Sequence, residues 1–347
     1  MSRPQASEAL LGDADRALIL ADDRIRVTVL PDRGADIHAV CDLRTGVDVL
    51  WKTPWGLRIR TDGDSPRGSA EAWVSSYAGG WQVLIPSGGG PSNHRGVDHP
   101  YHGEACSLPW VAAIESDADG ADRVRLSTHL ATAPLLVARV VSLAPGTSEV
   151  VIEERVTNEG DRPLEYMWVH HPAFGAPLVA PGARILTSAS LIVADSTLDS
   201  PASPLEPGTR HAWPVVSTRD GRELDLSIVP GASSPRQLLG YLSGFDEGVV
   251  TIENEDLDLA CTLSWQLDVF PYAWLWQEFG ATTGAPWFGR AFVMAIEPAT
   301  SFPATGLGDV VATTATHRVL AAGATVATEL RLRLAPLRQG RADVGPR

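Results

Sequence analysis

Cysteine is scarce in this 347-residue chain: Cys41, Cys106 and Cys261 are odd in number, widely spaced and without a CxxC pair. Neither a disulfide framework nor a zinc knuckle organises such a sequence, and the three thiols are expected to be reduced and packed. Positive charge is also in short supply. There are 28 Lys and Arg against 42 Asp and Glu, a formal net charge of -14, and Lys52 is the only lysine. With no Lys/Arg cluster to offset it, this charge repels polyanions, so neither nucleic acid nor an anionic membrane surface is an expected partner. A small, mostly neutral ligand fits better. No uncharged apolar run approaches bilayer-spanning length, and the N-terminal stretch has no sustained apolar core behind a basic region. A cytoplasmic location is therefore expected. Internal repeats, heptads and the phosphate-cradling GxxxxGK[ST] pattern are missing, and no alternation of strand and helix suggests βαβ units or a nucleotide-binding sheet.

Period-2 alternation rich in β-branched residues is abundant: RIRVTVL from Arg24, RVRLSTHL from Arg123, LLVARVVSL from Leu135, EVVIEERVTN from Glu149 and ATELRLRLAP from Ala327. These segments predict strands. Turn clusters separate them, among them Pro31-Asp32-Arg33-Gly34 and Ala144-Pro145-Gly146-Thr147, at the short spacing of sandwiches and barrels. The expected fold class is all-β, a large antiparallel β-sandwich forming one domain over 15–336, with 1–14 and 337–347 as flexible termini. Glu71–Tyr77 predicts one short helix. Two stretches break the rhythm, 79–108 and 197–214, and irregular segments of this length in a compact domain are commonly functional or disordered. The first is read as functional and the second as a surface excursion.

Three stretches carry chemistry. In GGWQVLIPSGGGPSNHRGVDHPYHGEACSLPW, from Gly79, glycines allow tight turns and His94, His99 and His102 fall in one region, with Trp81 and Trp110 as flat faces for a sugar ring. The blander reading is a Gly/His-rich surface loop. In YMWVHHPAFG, from Tyr166, adjacent histidines end an apolar strand, and alternation sends His170 and His171 to opposite faces, so only one readily joins a given pocket. Neither HxH nor HxxxH spacing is present there, so no metal ligand set is expected. In WLWQEFGATTGAPWFGRAFVMAIEP, from Trp274, Glu297 follows an apolar strand and needs a partner or a task. Glu278 is the competing carboxylate.

The order of a His-Gly loop ending in Pro-Trp, a strand ending in His-x-x-Phe and a late strand ending in Glu resembles the aldose 1-epimerase, or galactose mutarotase-like, superfamily. HGEACSLPW resembles its histidine-bearing loop, HPAFG its His-x-Tyr-Phe segment and AIEP its base-bearing segment, and the resemblance runs from about Asp22 to Leu334. Within the superfamily the loop is most similar to an uncharacterised branch, with GGWQ, HGE and HHPAFG as its signatures. Ala173 stands where the superfamily usually has Tyr, and Cys106 where sugar-phosphate relatives carry Arg.

The resemblance implies a galactose mutarotase-like supersandwich that interconverts the α and β anomers of a free aldose, with no cofactor. It implies Glu297 as base, His171 as acid and His102 as an assisting group on the ring-oxygen side. Ring opening needs a base at the anomeric hydroxyl and an acid at the ring oxygen in one bound geometry. With Glu297 ionised and a histidine protonated, a bell-shaped pH profile within the ordinary histidine range is expected. Arg95, Trp81, Trp110, Glu104, Glu278, Trp287 and Arg58 are the expected substrate-binding residues, with Arg95 and Trp81 setting substrate preference. Two alternatives remain open: an epimerase of a phosphorylated or sulfonated sugar, served by arginines such as Arg33, Arg58, Arg95 and Arg290, and a non-catalytic carbohydrate-binding module. A homodimer is compatible with either.

Overall fold

The computed structural model describes residues 2–12, 15–58 and 68–337. Among these the strands assemble into two large antiparallel sheets packed face to face, with three small two-stranded ribbons beside them. The twelve-stranded sheet runs Gln5–Leu11, Asp15–Ala21, Ile25–Leu30, Asp36–Asp42, Trp81–Leu84, Val169–Gly175, Phe292–Ala299, Tyr272–Phe279, Arg236–Ser243, Leu191–Ala194 and Arg210–Ala212, with Val47–Asp48 paired to Asp36–Asp42. The eight-stranded sheet places Thr325–Ala335 between Leu259–Trp265 and Glu149–Asn158, so the last strand closes the middle of its sheet. No helix of the described residues is long and apolar enough to cross a membrane.

The alternation in the sequence is what builds these sheets. Along Leu135–Leu143 every second residue is buried, from Leu135 to Leu143, and each buried side chain faces the opposing sheet. The same period sends Arg139 into the core, where it lies directly across from Glu154 on the neighbouring strand. In the larger sheet Trp81, Val83, Phe174, Met294 and Ile296 fill the interior between the sheets, while Leu84, Val169, Ala173, Val293 and Ala299 belong to clusters on the outer face. A strand buried on both faces reads as a continuous apolar run. Val169–Gly175 is such a strand, buried at every residue, because its outer face is covered by the helix Ser69–Ser76 and by the 86–110 segment.

Several expectations need correction. The N-terminal tail is not wholly a tail, since Gln5–Leu11 pairs along its length with Asp15–Ala21 and forms one edge of the larger sheet. Residues 338–347, expected to be flexible, lie outside the described residues. The 79–108 stretch is not a single loop: it begins with the strand Trp81–Leu84 and continues into a hairpin, Ser92–His94 with Val97–His99. The paired histidines open a strand and do not end one. Glu297 lies within Phe292–Ala299, which stays paired through Pro298.

Candidate active site

On the outer face of the larger sheet, cross-strand pairing lines up one row of side chains. Gln82 lies directly opposite His171, and Glu297 lies directly opposite Trp274. Between the two pairs, His171 Nε2 and Glu297 Oε1 are 3.7 Å apart. Directly opposed residues on neighbouring strands hold their Cβ atoms about 5 Å apart, so the row Gln82, His171, Glu297, Trp274 is fixed by the sheet itself.

His102 reaches this row from the irregular segment. Its amide donates to Gly89 O at 2.8 Å, and its Nδ1 accepts from the Gly89 amide at 3.1 Å. An accepting Nδ1 carries no proton, which leaves Nε2–H as the donor of a neutral ring. The ring centroids of His102 and His171 are 5.5 Å apart. Both His102 and Gly103 have positive φ, 62° and 72°. A Cβ at position 103 would come within 2.4 Å of Ser87 O, so the His-Gly pair is required by close backbone approach.

Aromatic rings roof the row. Trp73, from the helix Ser69–Ser76, meets His102 edge-on at 4.4 Å and His171 at 6.0 Å, and stacks on Tyr77 at 4.5 Å. Tyr101 lies 3.9 Å from the His102 ring. On the other side Trp276 is 6.0 Å from His171 and leads to Trp287, which stacks on Trp55 and meets Trp51 edge-on. Beneath this roof His171 is 5% exposed and Glu297 2% exposed.

Burial sets the proton balance. It drives the His171 imidazole down to about 4, drives His102 well below the usual histidine range with His171 adding to the effect, and pushes the Glu297 carboxyl well above the usual carboxylate range. Burial therefore favours the neutral forms of both groups, a protonated Glu297 beside an unprotonated His171. This reverses the expected resting state of ionised Glu297 and protonated histidine. Glu297 Oε2, His171 Nδ1 and Tyr77 Oη are buried with no hydrogen-bond partner. Orphaned polar atoms in a buried site each cost about 1–3 kcal/mol and call for an explanation, of which a polar ligand is one.

His170, on the opposite face, belongs to a separate network inside the sandwich. Trp81 Nε1 donates to its Nδ1 at 3.1 Å, its Nε2 lies 2.9 Å from Glu154 Oε2, and Arg139 Nε donates to Glu154 Oε1 at 2.5 Å. Burial pushes the Glu154 carboxyl up, but Arg139 and His170 together outweigh it and hold that carboxyl down at about 2.

Of the ten residues singled out in the sequence, His102, His171 and Glu297 come together, and Trp287 joins the aromatic wall. Arg58 sits at its rim, 4.8 Å over the Trp55 ring. The other five go elsewhere. Trp81 is wholly buried between the sheets because it alternates with Gln82 on a strand, and Trp110 is buried there too, donating to Ala105 O at 3.0 Å. Glu104 accepts from the Ala131 and Thr132 amides and the Thr132 hydroxyl, so it anchors a loop. Glu278 does the same locally for Ala281 and Thr282. Arg95 is largely exposed and pairs with Glu165 at 2.9 Å. Sequence reasoning missed Gln82, Trp73, Tyr77, Tyr101 and Trp276. The i, i+4 spacing of Trp73 and Tyr77 on a helix and the i, i+2 spacing of Trp274 and Trp276 on a strand were the available signals.

The family described as Domain of unknown function (DUF4432) matches residues 14–207. No curated protein matches the chain. Solved structures share the fold, which is the galactose mutarotase-like β-sandwich. A Klebsiella pneumoniae protein assigned provisionally as an aldose 1-epimerase aligns with a TM-score of 0.71 at 17% identity, over 98% of this chain and 85% of its own. A galactose mutarotase-like protein from Clostridium acetobutylicum aligns with a TM-score of 0.68 at 14% identity, over 96% and 99%. One from Lactobacillus casei gives 0.62 at 17% identity, over 92% and 100%.

Proposed function

We propose that this chain, which belongs to the family described as Domain of unknown function (DUF4432), is an aldose 1-epimerase that interconverts the α and β anomers of a sugar by acid–base ring opening. The observation that carries the reading is the convergence of Glu297, His171 and His102 on one face, two of them with buried polar atoms that have no partner in the protein. Several solved structures with this fold are named for mutarotase chemistry, which supports the reading at the level of architecture.

The reaction needs one proton shared between two groups, and the pair supplies it. A sugar entering beneath the aromatic roof presents its anomeric hydroxyl to Glu297 and its ring oxygen to His171. Hydroxyls donating to Glu297 favour the carboxylate, and the charges of an ionised pair 3.7 Å apart attract strongly where water is excluded. The proton thereby moves from Glu297 to His171. Glu297 then takes the anomeric proton as His171 protonates the ring oxygen, the C1–O5 bond breaks, and an open-chain aldehyde forms. Rotation about C1–C2 and the reverse transfers close the ring on the other face. The Nε2–H of His102 donates to the ring oxygen as it gains negative character, a role suited to a neutral ring fixed by Gly89. Because Trp73 covers both histidines, it has to swing aside for the ring to enter, after which it, Trp276 and Trp287 offer faces to the sugar's C–H groups. The test is NMR-followed or polarimetric anomer equilibration over a panel of neutral, phosphorylated and sulfonated aldoses, with Glu297→Gln as comparison.

A further inference from the structure

Next to the row, beneath Trp73 and Tyr77, lies a partly open pocket of about 20 Å³ lined by Asp36, His38, Gln82, Tyr77, Trp73 and Cys106, among others. That volume seats one oxygen atom and little more. The Gln82 amide is held in one orientation: its Nε2 donates to Asp36 Oδ2 at 3.1 Å and to Gly79 O at 2.8 Å. Both amide protons are used, so Oε1 is left as an acceptor, and it is buried with no partner. Tyr77 lines the same pocket, and its Oη is likewise buried and unpartnered. The tyrosine is fixed from behind, its carbonyl accepting from Trp55 Nε1 at 2.9 Å and Thr53 Oγ1 at 3.2 Å.

An unpartnered acceptor and an unpartnered hydroxyl on two residues lining one oxygen-sized space match a single hydroxyl group, which would donate to Gln82 Oε1 and accept from Tyr77 O–H. The position of the cavity says which one. Gln82 lies directly across from His171, on the side away from Glu297. In a pyranose the atoms run from the anomeric oxygen through C1 to the ring oxygen, then to C5 and its exocyclic C6 hydroxyl. With the anomeric oxygen at Glu297 and the ring oxygen at His171, the next polar group along the row is the C6 hydroxyl. We infer that Gln82 and Tyr77 form a specificity subsite for the free C6 hydroxyl of a neutral aldose, and that the site rejects sugars phosphorylated at that position. Rejection has two causes: the cavity cannot hold the additional oxygens of a phosphate, and the Asp36 carboxylate repels an anion. Among the described residues the one guanidinium lining it, that of Arg33, is already committed to Asp15 and to the Arg58 carbonyl.

This inference rests on the epimerase reading for the orientation of the ring, and the test separates the two. In the first arm, anomer equilibration is measured for D-glucose and D-galactose, each beside its 6-deoxy and 6-phosphate form, with wild type and Tyr77→Phe. Wild type is expected to favour the parent sugar over its 6-deoxy form by roughly tenfold in kcat/KM, the worth of one buried hydrogen bond. It should favour it over the 6-phosphate by far more, and Tyr77→Phe should shrink the 6-deoxy preference to a few-fold or less. Equal wild-type rates with parent and 6-deoxy sugars, or acceleration of the 6-phosphates, overturn the subsite and leave the epimerase reading standing. In the second arm, crystals of Glu297→Gln are soaked with D-glucose and with D-galactose. The C6 oxygen is expected between Gln82 Oε1 and Tyr77 Oη. A sugar bound with C6 elsewhere, or no bound sugar, overturns the subsite whether or not turnover was seen.

Discussion

Replacing Glu154 by Gln removes one charge from the middle of the sandwich while keeping the side chain's shape. Its carboxylate binds Arg139 at 2.5 Å and faces His170 at 2.9 Å, and the side chains of all three are fully buried. The guanidinium's remaining contacts, the Ala35 carbonyl at 2.9 Å and the Trp110 ring at 5.6 Å, do not neutralise it. Stranding a buried charge costs about 3–5 kcal/mol, a shift of roughly 4–7 °C in Tm for a chain of this size. Urea denaturation of wild type, Glu154→Gln and the double variant Arg139→Met/Glu154→Leu measures it, with the double variant expected to recover most of the loss because no lone charge remains. The pair also sets an acid limit. Glu154 titrates at about 2 in the fold against an ordinary value of 4.5, so its contribution is complete above 4.5 and is lost as the pH falls toward 2. Glu154→Gln should lack that part of the acid slope. A single variant within about 1 kcal/mol of wild type, with an unchanged slope between pH 4.5 and 2, would refute the reasoning.

Other perturbations probe the site. Burial carries His171 down to about 4 and Glu297 upward. The acid limb of the kcat/KM profile should therefore lie near pH 4, below the ordinary histidine range; an acid limb with its inflection between pH 6 and 7 would contradict this assignment. Glu297→Gln should raise stability: a carboxyl whose folded pKa lies above its ordinary value costs stability as the pH rises past 4.5. Thermal unfolding at pH 7 and pH 5 checks the sign, the gain from Gln being larger at pH 7. Trp287→Ala removes one face of the aromatic wall and should raise KM about tenfold with little change in kcat; an unchanged KM would place the sugar elsewhere.

The all-β sandwich was legible because its strands keep strict alternation over long runs, and Leu135–Leu143 and Glu149–Asn158 are bounded as their patterns predict. Where one short strand hides inside a Gly-rich stretch, the same logic failed. Trp81 reads as a loop aromatic until Trp81–Leu84 is seen to be a strand, and then its neighbour Gln82 faces the site in its place. Glu104 and Glu278 show why carboxylate type alone says little. Glu278 caps amides three and four residues on, a local pattern, whereas Glu104 anchors residues 131 and 132, a contact only the fold creates. The aromatic roof comes from segments far apart in sequence, around Trp51, Trp73, Tyr101, Trp276 and Trp287, and local spacing marks pairs within a segment, such as Trp73 and Tyr77, but not the convergence of the segments. Resting protonation was misjudged for a related reason, since the depth of burial beneath Trp73 is a tertiary property.

The most direct test of the central claim is the rate of anomer equilibration of freshly dissolved α-D-glucose and α-D-galactose, followed by NMR with wild type and Glu297→Gln at equal concentration. If Glu297 and His171 open the ring, wild type accelerates equilibration of at least one of these sugars over buffer, and Glu297→Gln, though folded and at least as stable, returns the rate to the uncatalysed value. Acceleration that persists in Glu297→Gln, or none with wild type on either sugar, would contradict the account.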